Sequence, residues 1–458
     1  MRDLAFVGFL MAFLALGFKR PFIFVLAYAY VDIVAPQRLS YWMLNAVPIS
    51  VIVFGLAVVG WLAVDDKRSV RLTPRLFAIL TLLIYCAYTT SVADVPIFAQ
   101  EKWGWVWKAL IFAFFLPLTL RTKLRIEALA LFMVLCASAI IVTGGIKTAA
   151  SGGGYGVLRL LVDNNSGLYE GSIISTVAIC IIPLILWLGK YGTIFPQDWR
   201  VKTYVAALVF ACLLIPVGTQ ARTGLVCIGV LAVLMLRFAR YRFLYAGLVC
   251  AVGLMAVPFL PQSFTERMDT IREYKADESA NTRLAVWKWT WEYAKNNPMG
   301  GGFDAYRQNK ITLNTVETIG DGTTTQIEVQ QMEDEGRAYH SSYFEMLGEQ
   351  GWPGLFLWLF IHLGGIVRME FLHRLYKRRD REDEQWVAPL ALALQNGQII
   401  YMIGSLFVGI AFQPFVYMLI ALQIGLDTYL ARRRQEAAWR PMRGERQVNA
   451  VASQAQPT

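Results

Sequence analysis

Only three of the 458 residues are histidine, and 17% are charged, against 56% that are hydrophobic. Charge this sparse excludes a disordered chain, and with a mean hydropathy of +0.45 it excludes an ordinary soluble domain as well. The six cysteines (Cys86, Cys136, Cys180, Cys212, Cys227, Cys250) fall in or beside apolar runs with no CxxC spacing, which argues against disulfides and zinc. No small-residue cleavage site follows the first apolar run, so that run reads as a structural helix rather than a removed signal peptide. No soluble-repeat period is visible.

What the chain does have is apolar length. A hydrocarbon core about 30 Å thick takes roughly 20 residues of helix. On that scale spans are expected near 4–18, 21–36, 46–64, 76–93, 104–120, 126–143, 168–189, 202–218, 223–237, 243–260, 342–367, 387–411 and 413–430. Lys19, Arg20 and Pro21 separate the first two, which are either full spans or partly inserted half-helices, so the count is twelve or thirteen. The expected fold class is an all-α polytopic membrane protein of about twelve transmembrane helices with one large extramembrane loop domain. Its divisions are 1–260 (helices), 261–340 (loop domain, mainly helical), 341–430 (helices) and 431–458 (basic, disordered tail).

Lysine and arginine sort into alternate loops: Lys67 to Arg75, Arg121 to Arg125, Lys190 to Lys202, Arg237 to Arg242 and Arg368 to Arg381, with Arg432 to Arg434 in the tail. The positive-inside rule puts those loops and the C-terminus in the cytoplasm, and the loop domain outside. The formal charge of +10 is thus a topology signal and not a nucleic-acid footprint.

Within the loop domain, Ser263 and Glu266 form a capping-box pattern for one helix, and Asn297, Pro298 and Gly300 to Gly302 stop a second. On the second, Arg283, Trp287, Trp291 and Ala294 share a face, so Arg283 points toward protein or membrane rather than bulk water. The Thr-rich stretch at 311–331 surrounds a Gly-Asp-Gly turn and reads as a hairpin.

Charges that do not serve topology are informative in such a chain. Lys102, Lys108, Arg159, Asp163, Glu170, Arg222, Arg283 and His340 gather at one outward level. Arg222 stands in a tight outward turn, "PVGTQARTGLV", where the topology rule disfavours it. A guanidinium there suits a phosphate or diphosphate; the competing reading is an arginine reaching the outer headgroups or pairing with Asp163. Arg283 has the competing reading of a cation stacked on Trp287. Asp163 and Asn164 could position a hydroxyl or merely cap a helix. His340 opens "YHSSYFEMLGEQG" and, as a neutral imidazole, could serve as a general base; capping or packing is the alternative. His362 and His373 lie elsewhere. No hard-metal cluster stands beside His340, so no cofactor and no divalent metal are expected.

Three stretches, "QARTGL", "NTRLAVWKWTWEYAKNNPMGGGFDAY" and "AYHSSYFEMLGEQGWPGL", resemble in order the signature regions of the O-antigen ligase and O-antigen polymerase superfamily. The opening residues are similar to a subgroup described as O-glycosylation ligases. The resemblance implies a C-type helical glycosyltransferase in the bacterial inner membrane, moving a glycan from an undecaprenyl-diphosphate carrier to a lipid A core acceptor at the periplasmic face. A polymerase or a ligase onto protein would share the same residues. By matching position, Arg222 and Arg283 would hold the diphosphate and His340 would activate the acceptor hydroxyl. Arg159, Asp163, Asn164, Lys108 and Tyr339 are candidates for positioning substrate. A transporter would instead gather its charges near the bilayer midplane.

Overall fold

A computed structural model describes residues 2–40, 42–67, 70–150, 168–237, 241–244, 247, 251, 278–320, 325–379 and 381–438. The apolar runs fold as helices because lipid offers their backbone groups no partner but one another. In chain order these are α1 (Arg2–Lys19), α2 (Phe22–Val34), α3 (Pro36–Leu39), α4 (Ile49–Val64), α5 (Pro74–Ser91), α6 (Pro96–Thr119), α7 (Lys123–Ala150), α8 (Gly171–Tyr191), α9 (Trp199–Gly218) and α10 (Arg222–Leu236). Then come α11 (Glu278–Asn296), the strands β1 (Lys310–Gly320) and β2 (Thr325–Glu335), α12 (Ser342–Lys377), α13 (Val387–Gly404) and α14 (Pro414–Ala438).

Among the described residues α7, α8, α9, α12, α13 and α14 are long and apolar enough to cross a bilayer, and α2, α4 and α10 are shorter apolar helices. Large apolar side chains such as Val59 and Leu62 on α4 and Phe356, Leu363 and Val367 on α12 face outward, as a lipid-facing surface requires. Ion pairs hold the basic end of the bundle. Arg125 grips Asp65 through two bonds of 2.6 and 2.7 Å, and Arg368 grips Asp427 at 2.9 and 2.7 Å.

The structure departs from the expected layout in three places. Residues 405–413 are not helical, although their apolar composition extends the run from 387 to 411. Residues 405–411 are instead held by α12, with Ser342 N donating to Ser405 O (2.8 Å), Ile410 N to Ser342 Oγ (2.9 Å) and Ala411 N to Glu345 (3.0 Å). The basic run at 432–434 lies in α14 rather than in an irregular tail, because Arg432 donates to Leu120 O, Arg433 pairs with Asp383 and Arg434 donates to the Tyr376 hydroxyl. The described part of the loop domain is as much strand as helix: β1 and β2 pair antiparallel from Lys310↔Glu335 to Gly320↔Thr325. At 13 residues, α2 is too short to cross alone, which falls under the half-helix alternative allowed for the first pair. The capping box at Ser263 and most of the span expected at 243–260 lie outside the described residues.

At the end opposite the basic loops, two sequence motifs interlock by backbone alone. α12 breaks at Gly351 (φ 60°, ψ −165°) before Pro353. The glycine loop after α11 fills the break: Gly301 N donates to Gly348 O (3.0 Å), Gly302 N to Glu349 O (2.9 Å) and Trp352 N to Pro298 O (3.0 Å). A β-carbon on Gly300 would lie 2.5 Å from both Glu349 O and Gly351 N, and one on Gly351 would overlap Pro298 O. Glycine is required here both for its positive φ and for the close approach.

Beside this junction Lys102 of α6 places its ammonium 2.7 Å from Glu345, 2.8 Å from Glu349 and 3.7 Å from Asp304. Glu349 is fully buried and also accepts from Asp304 N (3.0 Å). Removing the cation would strand two buried carboxylates, at a cost of about 3–5 kcal/mol.

Lys102→Met is therefore expected to lower the thermal midpoint of the detergent-purified protein sharply, and the triple variant that also carries Glu345→Gln and Glu349→Gln to recover part of it. An unchanged midpoint in Lys102→Met would show that the cluster does not hold the fold. Gly351→Ala should be similarly destabilising, whereas Gly8→Ala, where a β-carbon meets nothing within 4 Å, should be neutral.

Candidate functional site

The site forms where α11 lies across the start of α12. Trp287 stacks flat on Phe344 (centroids 4.9 Å apart, interplanar 8°) and donates its Nε1 hydrogen to Tyr339 O at 2.8 Å. Trp291 meets Trp352 edge-on at 5.3 Å, and Ala294 is buried. Of the face expected from helical spacing Trp287 and Ala294 are packed while Trp291 stays exposed, and Arg283 lies near the turn that carries His340. The half-buried Arg283 is close enough for its charge to act on the imidazole.

His340 follows β2 and precedes the first turn of α12. Its φ of 48° is in the left-handed region, where a non-glycine residue is uncommon and held by its surroundings. Those surroundings are definite: Tyr339 is anchored by Trp287, and Ser342 is bonded to the 405–410 segment through its backbone N–H and its hydroxyl. The side chain itself remains exposed.

Its pKa is pushed below the usual histidine value. Desolvation is the largest cause, the Arg283 charge comes next, Glu170 pulls the other way and Arg337 adds to the lowering. The lowering favours the uncharged ring, the form able to accept a proton.

Glu170 connects this group to Arg222. It caps α8, accepting from Ile173 N at 2.7 Å, and the adjoining Gly171 abuts Thr219 in the turn before α10. Thr219 Oγ1 lies 2.7 Å from Ser175 Oγ of α8. Gln220 turns the chain with φ 51°, and Arg222 is the first residue of α10. Arg222 thus stands at the same end of the bundle as His340. Its helix packs on α13, where Gly404 meets Cys227, one residue before Ser405 receives the N–H of Ser342.

Other expected site residues fare differently. Tyr339 is buried, its ring edge-on to Tyr306 at 5.5 Å and its carbonyl held by Trp287, so it anchors the turn that carries His340. Lys108 is not part of the His340 group and lines a neighbouring cavity instead. Arg159, Asp163 and Asn164 lie outside the described residues. His362 is buried among aromatic rings within α12, and His373 Nδ1 lies 2.9 Å from Ala388 O, so both are remote from the site. The five described cysteines are buried free thiols.

Sequence reasoning missed Glu345, Glu349 and Arg38. The first two carried a usable signal, being carboxylates four residues apart at the start of an apolar run, where a buried cation partner is required. Arg38 carried none.

Residues 206–359, which contain Arg222, Arg283 and His340, match the model of the O-antigen ligase family, and residues 1–193 match that of a family of unknown function (DUF5935). No curated protein matches the chain in sequence. That matched region is a domain of O-antigen ligase type, and apolar helices of membrane-spanning length on either side of it make the chain a multi-pass membrane protein.

Proposed function

We propose that the protein transfers a glycan from undecaprenyl diphosphate to the hydroxyl of a lipid A core oligosaccharide, at the periplasmic face of the bacterial inner membrane. The observation that carries this reading is His340: an exposed imidazole on a left-handed backbone position, its pKa held below the usual histidine value in part by Arg283, within the region of O-antigen ligase type. Attack by the acceptor oxygen on the anomeric carbon forms the new glycosidic bond and breaks the bond to the diphosphate. The hydroxyl proton passes to His340, and the carrier diphosphate leaves as the anion. A general base of this kind contributes about 10² to 10⁴-fold. Arg222 and Arg283 hold the leaving diphosphate, where guanidinium groups fixed in advance stabilise the charge as it develops. The charge of Arg283 serves twice, since it also favours the unprotonated imidazole. Direct displacement inverts the anomeric centre, and no step calls on a divalent metal.

A polymerase or a ligase onto protein would use the same three residues, and the acceptor alone separates them. The decisive assay offers lipid A core, a second carrier-linked glycan and a protein acceptor in parallel to the purified enzyme with a lipid-diphosphate glycan. Transfer to the lipid A core with a chelator present is the expected result.

His340→Ala should abolish transfer while carrier binding persists, whereas Arg222→Ala should weaken carrier binding as well; the opposite pattern would contradict the assigned roles. The pH profile gives an independent check. Because the folded-state pKa of His340 is lowered, its base form persists below the usual histidine range, so kcat/KM should fall only as the pH drops past that lowered value. Arg283→Gln removes a charge that lowers the pKa and should move the acid limb to higher pH. Glu170→Gln removes one that raises it and should move the limb to lower pH. Shifts in the same direction would exclude His340 as the titrating base.

A further inference from the structure

A second polar site joins the part of the chain that matches no family of known function to the region of O-antigen ligase type. At the end of α2 and in α3, three buried polar atoms have no hydrogen-bond partner among the described residues: Asp32 Oδ2, Gln37 Oε1 and Arg38 Nη1. They flank Ala35, which reverses the chain with a φ of 50°. Buried polar groups are ordinarily satisfied, and a cluster of exceptions calls for a partner supplied from elsewhere.

Arg38 opens into a cavity of about 460 Å³, within the size range of small-molecule sites. Glu101, Trp105 and Lys108 of α6 line it too, as do Asp304, Tyr306 and Glu345. The carboxylates of Asp304 and Glu345 already share the ammonium of Lys102. Arg38 and Lys108 both lie within electrostatic reach of Asp32, so two cations stand together near one buried acid.

The chemistry of the walls narrows the occupant. Ile410 is the one aliphatic side chain among the described lining residues, so there is no groove for a polyprenyl tail. Aromatic faces at Trp105 and Tyr306 suit the C–H faces of a sugar, carboxylates suit its hydroxyls, and an arginine–lysine pair suits an anionic substituent. The cavity also adjoins the reaction centre: Tyr306 packs on Tyr339, the residue before His340, and Glu345 lies five residues after it.

We propose that this cavity binds an acidic saccharide, carrying a carboxylate or phosphate, and that Arg38 and Lys108 select for its charge. Its role as the seat of the acceptor glycan rests on the transfer reading above; its binding does not.

The test is calorimetric titration of the detergent-purified full chain with three probes: a disaccharide containing glucuronic acid, a disaccharide phosphate, and the neutral parent disaccharide. The acidic probes should bind at least about tenfold more tightly than the neutral one, as expected for a lost charge-assisted hydrogen bond. Arg38→Gln and Lys108→Gln should each remove most of that preference, and His340→Ala should leave it intact. Equal binding of all three probes, no binding at all, or variants that weaken undecaprenyl diphosphate instead of the saccharides would overturn the proposal. Should Arg38→Gln fail to elute as a single species, Lys108→Gln carries the same comparison. Intact saccharide selectivity in an enzyme that transfers nothing would refute the transfer reading while leaving this site standing.

Discussion

The site depends on one junction in which backbone meets backbone. Gly300 to Gly302 enter the break in α12 at Gly351, and no side chain fits between them. Hydrogen bonds to Gly348 O, Glu349 O and Trp352 N satisfy the groups that the break exposes, which is the condition for irregular backbone at the edge of a membrane. Lys102 then neutralises the carboxylates that this geometry buries. Fixing the loop fixes α11, which carries Arg283; fixing the start of α12 fixes His340. The two residues proposed to share the reaction are thus referred to one common support, although 57 positions separate them in the chain.

Much of this was legible in the sequence, for identifiable reasons. Helices dominate because apolar runs in lipid have no other way to satisfy their backbone, and the stop at Asn297–Pro298 and the shared face of Arg283, Trp287 and Trp291 follow from helical geometry. The hairpin followed from the Thr-rich sequence around Gly-Asp-Gly. Illegible were the features set by distant partners. Residues 405–413 are as apolar as a span, yet Ser342 and Glu345, some 65 positions earlier, draw their backbone into a loop. Tyr339 looked available beside a candidate base, but only the packing of Tyr306 and Trp287 reveals that it is enclosed. The bond between Lys102 and Glu349 spans 247 positions and leaves no local pattern.

Backbone strain marks the same places. The four non-glycine residues with positive φ among the described residues are Ala35, Gln220, Asp304 and His340. Each is, or stands close to, a residue of chemical interest: Arg38, Arg222, the Lys102 cluster and the imidazole itself. Such conformations persist only where the surroundings over-determine them. Here Trp287, Ser342 and the turn against α8 supply that constraint.

The interruption at Gly351 also separates two mechanical regimes. A bilayer that thins or thickens is accommodated by tilting the hydrophobic stretch immersed in it, and for α12 that stretch lies beyond the break. The turns from Ser342 to Gln350 answer instead to the glycine loop and to the segment at 405–411. The height of the imidazole above the lipid is accordingly set by protein rather than by membrane thickness, so a carrier headgroup would meet it at one level in membranes of different composition.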